Sequence, residues 1–345
     1  MTQPSVRDPQ VLAQLDELVR HFGGDPEAFE DRLVRDIMQT ALLLLREGAD
    51  TGERKMIARS LRELRYALKV FRPHRAARKI SIFGSARTPI DHADYQTTVR
   101  FGRSMAEAGW MVITGAGDGI MRAGHEGAGA EASFGVSIQL PFETTTNDII
   151  AGDPKNVTFR YFFTRKLIFV SQAHALALLP GGFGTLDECL EVLTLVQTGK
   201  SPLIPIVMVE PPGNDYWQHF DLYVREHLLA KEMIDADDLN LYQIFTDPVA
   251  AARHVTDFYR NYHSKRFVQD HLVIRLSRPP NAAQIDALNE EFADLVVDGR
   301  IEGTGPLEGE TTHLDLPRIA FHYTRRDYGR LRLLIDRLNQ FAAAT

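Results

Sequence analysis

The sequence has little of what secreted or membrane-spanning proteins carry. It has one cysteine, Cys189, in 345 residues, which excludes an intramolecular disulfide and is typical of a reducing compartment. No apolar run reaches the roughly 18–20 residues that a membrane span needs, and the first residues include Arg7 and Asp8 rather than an apolar signal core. We therefore expect a cytoplasmic protein that does not enter a membrane.

The sequence also lacks an excess of positive charge and any obvious cofactor motif. Lys and Arg number 39 against 46 Asp and Glu, a net charge of −7, which argues against nucleic-acid or anionic-membrane partners. No His/Cys cluster has metal-ligand spacing, and no lysine context suggests a pyridoxal site. No GxGxxG follows the first predicted strand, as a dinucleotide-binding dehydrogenase would require. We expect neither a metal nor a cofactor.

Apolar segments alternate with helical patterns in the central part of the chain. Short apolar runs predict strands at residues 79–83, 110–114, 135–138, 157–162, 174–179 and 203–209, and helical spacing lies between most of them. Strands that alternate with helices indicate parallel βαβ units and a doubly wound sheet. The loops after such strands lie at one edge of the sheet, where ligands bind.

The patterns divide the chain into three predicted regions. Residues 1–78 carry three apolar stripes at helical spacing and form a helical N-terminal extension, residues 79–262 form the α/β core, and residues 263–345 form a small α/β appendage. In the appendage, strands are predicted at 271–276 and 318–323, and helices at 282–296 and 328–341, with a mobile connection at 298–310. The basic residues around Pro73 form either a solvated linker or a contact for an anionic effector.

The most informative stretch is residues 180–188, Pro-Gly-Gly-Phe-Gly-Thr-Leu-Asp-Glu. A predicted strand precedes it and a predicted helix follows, so backbone N–H groups at a helix N-terminus can hold an anion such as phosphate. Thr185 can cap the helix. Glu188 is either an ordinary first-turn acid or a catalytic carboxylate beside the phosphate. The predicted binding residues of this turn are Pro180, Gly181, Gly182, Gly184 and Thr185.

Two further glycine turns follow predicted strands. The first contains Gly84 and Ser85, which can hold an anion or a nucleobase edge or form a simple tight turn. The second reads Thr-Gly-Ala-Gly-Asp-Gly-Ile-Met over residues 114–121. Its predicted binding residues are Gly115, Gly117, Gly119 and Met121.

The motif at 180–188 resembles the PGGxGTxxE motif of the LOG ("Lonely Guy") family, long misnamed lysine decarboxylases. The resemblance covers roughly residues 79–255, including Leu140-Pro141-Phe142-Glu143. It implies a Rossmann-like fold and hydrolysis of nucleoside 5′-monophosphates to free base and ribose 5-phosphate. It also implies that Glu188 and Arg165 are catalytic and that Lys166, which follows Arg165, belongs to the substrate site. A solvated Arg-Lys pair on a helix face is the alternative.

The second glycine turn departs from the family's TGGGPGIM form. Ala116 replaces a glycine, a mild change if its φ is negative. Asp118 replaces a proline and would repel a phosphate unless it faces away. Arg122 stands where relatives usually carry an acid, and we expect an i,i+4 ion pair between Asp118 and Arg122.

Two functions remain open from the sequence. One is a nucleotide hydrolase acting on AMP or a cytokinin riboside monophosphate, and the other is a non-catalytic nucleotide or molybdenum-cofactor carrier. A carrier needs no carboxylate at a phosphate loop, which favours the hydrolase. We also expect a homo-oligomer, because three apolar helix faces in the extension must be buried somewhere. The preferred base is not readable from the sequence.

Overall fold

The computed structural model describes residues 8–139 and 146–343 and divides the chain into two compact units, residues 1–65 and 66–345. The segment Leu140-Pro141-Phe142-Glu143 of the family resemblance lies outside the described residues. No helix in the described ranges is long and apolar enough to cross a membrane.

The first unit consists of helices, as the three apolar stripes predict. They are α1 (Pro9–His21), α2 (Phe29–Arg46) and most of α3 (Thr51–Phe71). The Asp8 carboxylate accepts a hydrogen bond from the Gln10 N–H and caps α1, and Pro9 occupies its first turn. An ion pair between Arg35 and Asp16 joins α2 to α1. In contrast to α1, α2 has no buried residue, and its Phe29, Val34 and Leu45 are half exposed or more.

The second unit contains a parallel sheet of seven strands among its described residues, in the order β4-β3-β2-β1-β5-β6-β7. The strands are β1 (Lys79–Phe83), β2 (Met111–Thr114), β3 (Ser133–Ile138), β4 (Asn156–Phe159), β5 (Ala175–Leu178), β6 (Ile206–Val209) and β7 (Tyr242–Phe245). Ile80 is in register with Val112 of β2 on one side and Ala175 of β5 on the other. The chain thus winds outward in both directions from β1 and β5, and the predicted doubly wound, Rossmann-like fold is confirmed.

Helices connect these strands and cover the sheet. They are α4 (Ala93–Glu107), α5 (Ile120–Ala128), α6 (Phe162–Ser171), α7 (Phe183–Gln197), α8 (Tyr216–Tyr223) and α9 (Pro248–Asp257). Strand residues such as Ile80, Ile82 and Val112 are fully buried, as expected of parallel strands that are covered on both faces. A Cβ at Gly102 would lie 2.8 Å from the backbone oxygen of Gly124, so glycine allows α4 and α5 to pack closely.

The C-terminal part adds an antiparallel sheet of four strands in the order β10-β11-β9-β8. Its elements are β8 (Tyr262–Val268), β9 (His271–Leu276), α10 (Ala282–Glu291), β10 (Glu302–Thr304), β11 (Arg318–His322) and α11 (Tyr328–Ala343). One apolar core joins Leu176 and Leu178 of the main sheet with Ile274 and with Leu331 of α11. The second sheet is therefore packed into the same core as the first, and the proposed boundary at residues 262/263 remains a prediction.

Several predicted elements differ from the structure at their ends. The predicted strand 157–162 ends at Phe159 because α6 begins at Phe162, and the predicted strand 203–209 begins only at Ile206. The predicted helix 282–296 ends as α10 at Glu291 and continues as a short 3-10 turn. The strands β7, β8 and β10 were not predicted.

The expectation of a mobile connection at 298–310 is wrong at its C-terminal end. Glu310 is buried and accepts hydrogen bonds from Arg275 at 2.6 Å and from Arg318 at 2.7 Å. The two guanidinium groups hold the pKa of the Glu310 carboxyl below its usual range although burial opposes this. This buried ion triad anchors the connection to β9 and β11.

Candidate active site

A cavity of about 870 Å³ lies at the carboxyl edge of the parallel sheet, at the ends of β1, β2 and β5. Residues 83–87, 115, 121, 162, 165, 181–188 and 216 line it. This is the switch point of the doubly wound sheet, where strand order reverses and a crevice opens. The fold alone therefore brings the predicted glycine turns to one place.

The turn at 180–188 is built around a close backbone approach. Gly182 caps α7, and the Thr185 N–H donates to its carbonyl oxygen at 3.0 Å. A Cβ at Gly181 would lie 2.9 Å from the Ser85 nitrogen and would collide with the Thr185 hydroxyl. The start of α7 leaves backbone N–H groups without intrahelical partners beside the cavity, an arrangement suited to an anion.

Ser85 holds the three predicted turns together. Its N–H donates to the Pro180 carbonyl at 3.1 Å, and its carbonyl accepts from the Ile120 N–H at 3.0 Å. Gly119, with φ of +60°, packs on the Ser85–Ala86 backbone so closely that a Cβ would lie 2.7 Å from the Ala86 carbonyl carbon. The loop after β1 is therefore a hydrogen-bonded bridge between the other two turns.

Ala116 contradicts the expectation of a mild replacement. Its φ is +61°, the left-handed region that favours glycine and costs an L-residue roughly 1–2 kcal/mol. Buried hydrogen bonds hold it there: its N–H donates to Thr114 Oγ1 at 3.0 Å, and its carbonyl accepts from the Asn147 N–H at 2.8 Å. His125 Nε2 lies 3.0 Å from the same Thr114 oxygen.

The expected ion pair between Asp118 and Arg122 is wrong. Arg122 pairs with Asp148 instead, through contacts from both of its terminal nitrogens. Asp118 is exposed and is not among the residues that line the cavity. The acid that replaces the family's proline thus points away from the anion seat.

Glu188 lies in α7, lines the cavity and is 6% exposed. Its Oε2 atom is buried without a hydrogen-bond partner. Burial raises the pKa of the Glu188 carboxyl to about 7, and the charges of Glu191 and Asp187 add to the rise, whereas Lys166 and Arg165 oppose it. A carboxylate that changes protonation state near neutral pH and faces a cavity is suited to general acid–base work.

Arg165 of α6 brings a guanidinium group to the same cavity. Its Nε donates to the Val136 carbonyl at 2.8 Å, and the group lies 5.1 Å from the Phe169 ring centroid. A Cβ at Gly115 would collide with Nη2 of Arg165 and lie 2.5 Å from Met121 Sδ. Gly115 is therefore glycine because Arg165 and Met121 occupy the space of a side chain.

Four of the predicted site residues do not line the cavity: Gly117, Gly119, Pro180 and Lys166. Gly119 and Pro180 instead hold the turns together, as described above. Lys166 forms ion pairs with Asp187 at 2.9 Å and Glu191 at 2.5 Å. The predicted contact between Lys166 and the substrate remains a prediction.

Sequence reasoning missed Tyr216 and gave Arg87 no role. The Tyr216 hydroxyl donates to the Gly181 carbonyl at 2.7 Å, and no glycine motif around Tyr216 indicates this. Arg87 is exposed at the cavity edge and has no ion pair within the described ranges. A cation two residues after Ser85, in a turn suited to anions, is a signal that the sequence did contain. Phe162 and Phe183 also line the cavity.

Comparison with known proteins finds relatives for the central part of the chain. Residues 115–255 match the family model described as "Possible lysine decarboxylase". The rice (Oryza sativa subsp. japonica) cytokinin riboside 5′-monophosphate phosphoribohydrolase LOG is 30% identical over 164 residues. The Mycobacterium tuberculosis protein of the same name is 29% identical over 138 residues. The chain is therefore similar to LOG-family proteins over the part that these matches cover.

The likeness to these LOG-family relatives is partial. The rice alignment covers 45% of this chain and 65% of the rice protein, less than two thirds of its length, and the mycobacterial one covers 39% and 70%. Among solved structures, a molybdenum cofactor carrier protein from Chlamydomonas reinhardtii is 19% identical with a TM-score of 0.36. That alignment covers 52% of this chain and 96% of the carrier, and the likeness is too distant to bear on function.

Proposed function

We propose that this protein hydrolyses the N-glycosidic bond of a nucleoside 5′-monophosphate, giving free base and ribose 5-phosphate. AMP-like nucleotides and cytokinin riboside monophosphates are the proposed substrates. The observation that carries the proposal is the buried, unpartnered Oε2 of Glu188 beside a turn suited to phosphate. Phosphate binding alone gives no reason to keep a carboxylate there.

In the proposed reaction, one part of the cavity binds the phosphate and another part holds the C1′–N bond that is broken. The 5′-phosphate lies at the start of α7, where backbone N–H groups favour an anion. The C1′–N bond breaks, its electron pair leaves with the base, and positive charge develops on the ribose, as in sugar hydrolysis. The Glu188 carboxylate stabilises that charge and accepts a proton from the water that attacks C1′. Arg165 either binds the phosphate or polarises the departing base.

Glu188 alone does not account for an enzymatic rate. General acid–base help contributes about 10²–10⁴-fold, whereas enzymes lower barriers by about 8–23 kcal/mol. The remainder has to come from binding energy at the phosphate that fixes the ribose in a reactive geometry. The glycine turns thus belong to the proposed mechanism as well as to affinity.

Two other functions explain the site less well. A non-catalytic nucleotide or molybdenum-cofactor carrier would leave the buried Glu188 carboxylate without a role. A pyridoxal-dependent lysine decarboxylase needs a lysine for its Schiff base, and the described residues that line the cavity include none. The hydrolase remains the proposal that uses each polar feature of the cavity.

The proposal is tested with AMP, GMP, CMP, UMP and isopentenyl-AMP, by measuring the base and ribose 5-phosphate released. We expect at least one to be hydrolysed, and the matching nucleoside to be a very poor substrate, because each charged hydrogen bond to phosphate contributes about 1.5–3 kcal/mol. Comparable kcat/KM for adenosine and AMP would show that the turns hold something else. The exposed Glu131 supplies a control, Glu131→Gln.

We also propose a homo-oligomer, at least a dimer. The supporting observation is an apolar patch on α6 and α7, formed by Phe162, Phe163, Leu167, Phe183 and Leu190, each about half exposed or more. Phe162 and Phe183 also line the cavity, so a second copy on this patch would border the site. The exposed apolar residues of α2 form a second candidate contact between copies of the chain.

Light scattering at micromolar concentration tests the oligomer. Leu167→Asp is expected to give a monomer, whereas Leu222→Asp, at an equally exposed leucine on α8, should keep the oligomeric mass. A monomer mass for the unaltered chain would end the proposal. A cytoplasmic location, consistent with the single cysteine, remains a proposal as well.

A further inference from the structure

Three acids crowd the first turns of α7. Asp187 and Glu191 are four residues apart and share one helix face, and Glu188 lies next to Asp187 on the buried side. The charges of Glu191 and Asp187 add to the effect of burial in raising the pKa of the Glu188 carboxyl. The site needs a cation near this face if Glu188 is to act as a carboxylate.

Lys166 of α6 is that cation. Its Nζ lies 2.9 Å from Asp187 Oδ2 and 2.5 Å from Glu191 Oε2, and its side chain is 16% exposed. Burial tends to lower the pKa of Lys166, but the hydrogen bonds to Glu191 and Asp187 raise it above its ordinary value. Lys166 is thus charged and paired with two carboxylates, and it does not itself line the cavity.

We propose that Lys166 is a positioning residue that ties α7 to α6 and neutralises the two acids flanking Glu188, rather than a ligand of the substrate phosphate. This inference rests on the proposed role of Glu188. The Lys166 ammonium contacts the two flanking acids, and Lys166 does not line the cavity, whereas Glu188 does. Asp187 also lines the cavity, so pairing it with Lys166 reduces its repulsion of a bound phosphate.

The charges near Glu188 determine how its pKa should change when one of them is removed. Lys166 and Arg165 of α6 lower its pKa, and Asp187 and Glu191 of α7 raise it, on top of the larger effect of burial. Tyr216, whose pKa burial raises so that it stays neutral, and the exposed Arg87 also line the cavity. Loss of the Lys166 charge should therefore raise the pKa of Glu188, and loss of the Glu191 charge should lower it.

The test is the acid limb of the pH profile of kcat with the best nucleotide substrate. We expect Lys166→Met to move the limb to higher pH, because the charge of Lys166 lowers the pKa of the Glu188 carboxyl. An opposite charge within about 4–6 Å shifts a carboxyl pKa by roughly 1–3 units, so the shift should be easily measured. Glu191→Gln should move it to lower pH. Lys166→Arg keeps the charge and should restore the wild-type limb.

A different result is expected if Lys166 binds the substrate phosphate. If Lys166→Met raises KM for the nucleotide and leaves the acid limb in place, Lys166 binds substrate and the inference is overturned. The opposite shifts in Lys166→Met and Glu191→Gln are not expected of general misfolding. Rescue by Lys166→Arg also separates a role of charge from one of packing.

A second readout keeps the inference separate from the proposed function. The Glu188 carboxyl can be titrated by ¹³C NMR, with its signal assigned by its loss in Glu188→Gln. If the wild-type protein hydrolyses no nucleotide, the proposed function fails, but the titration still reports on Lys166. An unchanged Glu188 titration in Lys166→Met would overturn the inference.

Discussion

Glu188→Gln should make the folded protein more stable at neutral and alkaline pH. The folded-state pKa of Glu188 is raised from 4.5 to about 7, so the fold disfavours its ionised form. A difference of about 2.5 units corresponds to roughly 3 kcal/mol at 1.36 kcal/mol per unit. Glutamine keeps the shape of the side chain and removes the buried charge.

The pH dependence of this gain follows from the sign of the shift. Between pH 4.5 and 7 the folded protein binds more protons at Glu188 than the unfolded chain, so wild-type stability falls as pH rises through that window. Glu188→Gln does not lose stability in this way, because the glutamine side chain does not titrate. Its advantage should therefore be absent below pH 4.5, grow through the window and level off above pH 7.

Thermal unfolding at pH 4.5 and pH 8 measures the effect. We expect Glu188→Gln to unfold about 6–12 °C higher than the wild type at pH 8 and at nearly the same temperature at pH 4.5, because 1 kcal/mol shifts the Tm of a domain of 150–250 residues by about 2–4 °C. Glu131→Gln, at an exposed position without an ion pair among the described residues, should leave the Tm unchanged at both pH values. Equal Tm shifts at both pH values, or a loss at pH 8, would refute the reasoning.

Three further substitutions test other parts of the structure. Gly115→Ala should lower kcat at least tenfold, because the new Cβ takes space that Arg165 occupies; steady-state kinetics with the best nucleotide checks this. Ala116→Gly should stabilise the protein by about 1 kcal/mol because it relieves a φ of +61°, and an unchanged or lower Tm would contradict the assigned strain. Glu310→Gln should destabilise the fold by about 3–5 kcal/mol, since it leaves two buried arginines without their carboxylate; denaturant unfolding measures the loss.

Much of the site could be predicted because its parts are local in sequence. A strand, a glycine turn and a helix at 174–196 specify the anion seat without knowledge of the fold, and alternation of strands and helices specifies the sheet edge where the turns meet. Glu188 was identified by its place in the motif. The raised pKa of Glu188 could not be predicted from the motif, because its burial depends on how α7 packs against the rest of the unit.

The missed features depend on contacts between distant residues. Tyr216 contacts Gly181 from 35 residues away, and Arg122 pairs with an acid 26 residues further along rather than with its helical neighbour. The positive φ of Ala116 is held by a hydrogen bond from the Asn147 N–H and by one that the Ala116 N–H donates to Thr114 Oγ1, which no property of an alanine reveals. The strand β8 carries Lys and Arg among its residues, so its pattern did not indicate a strand.

The central claim is that Glu188 is a catalytic carboxylate beside a phosphate seat. The most direct measurement combines release of base from AMP or isopentenyl-AMP with equilibrium binding of the same nucleotide, for the wild type and for Glu188→Gln. The account predicts hydrolysis by the wild type, and in the variant a loss of turnover with nucleotide binding that is unchanged or tighter. Undiminished turnover in Glu188→Gln, or loss of binding and turnover together, would contradict it.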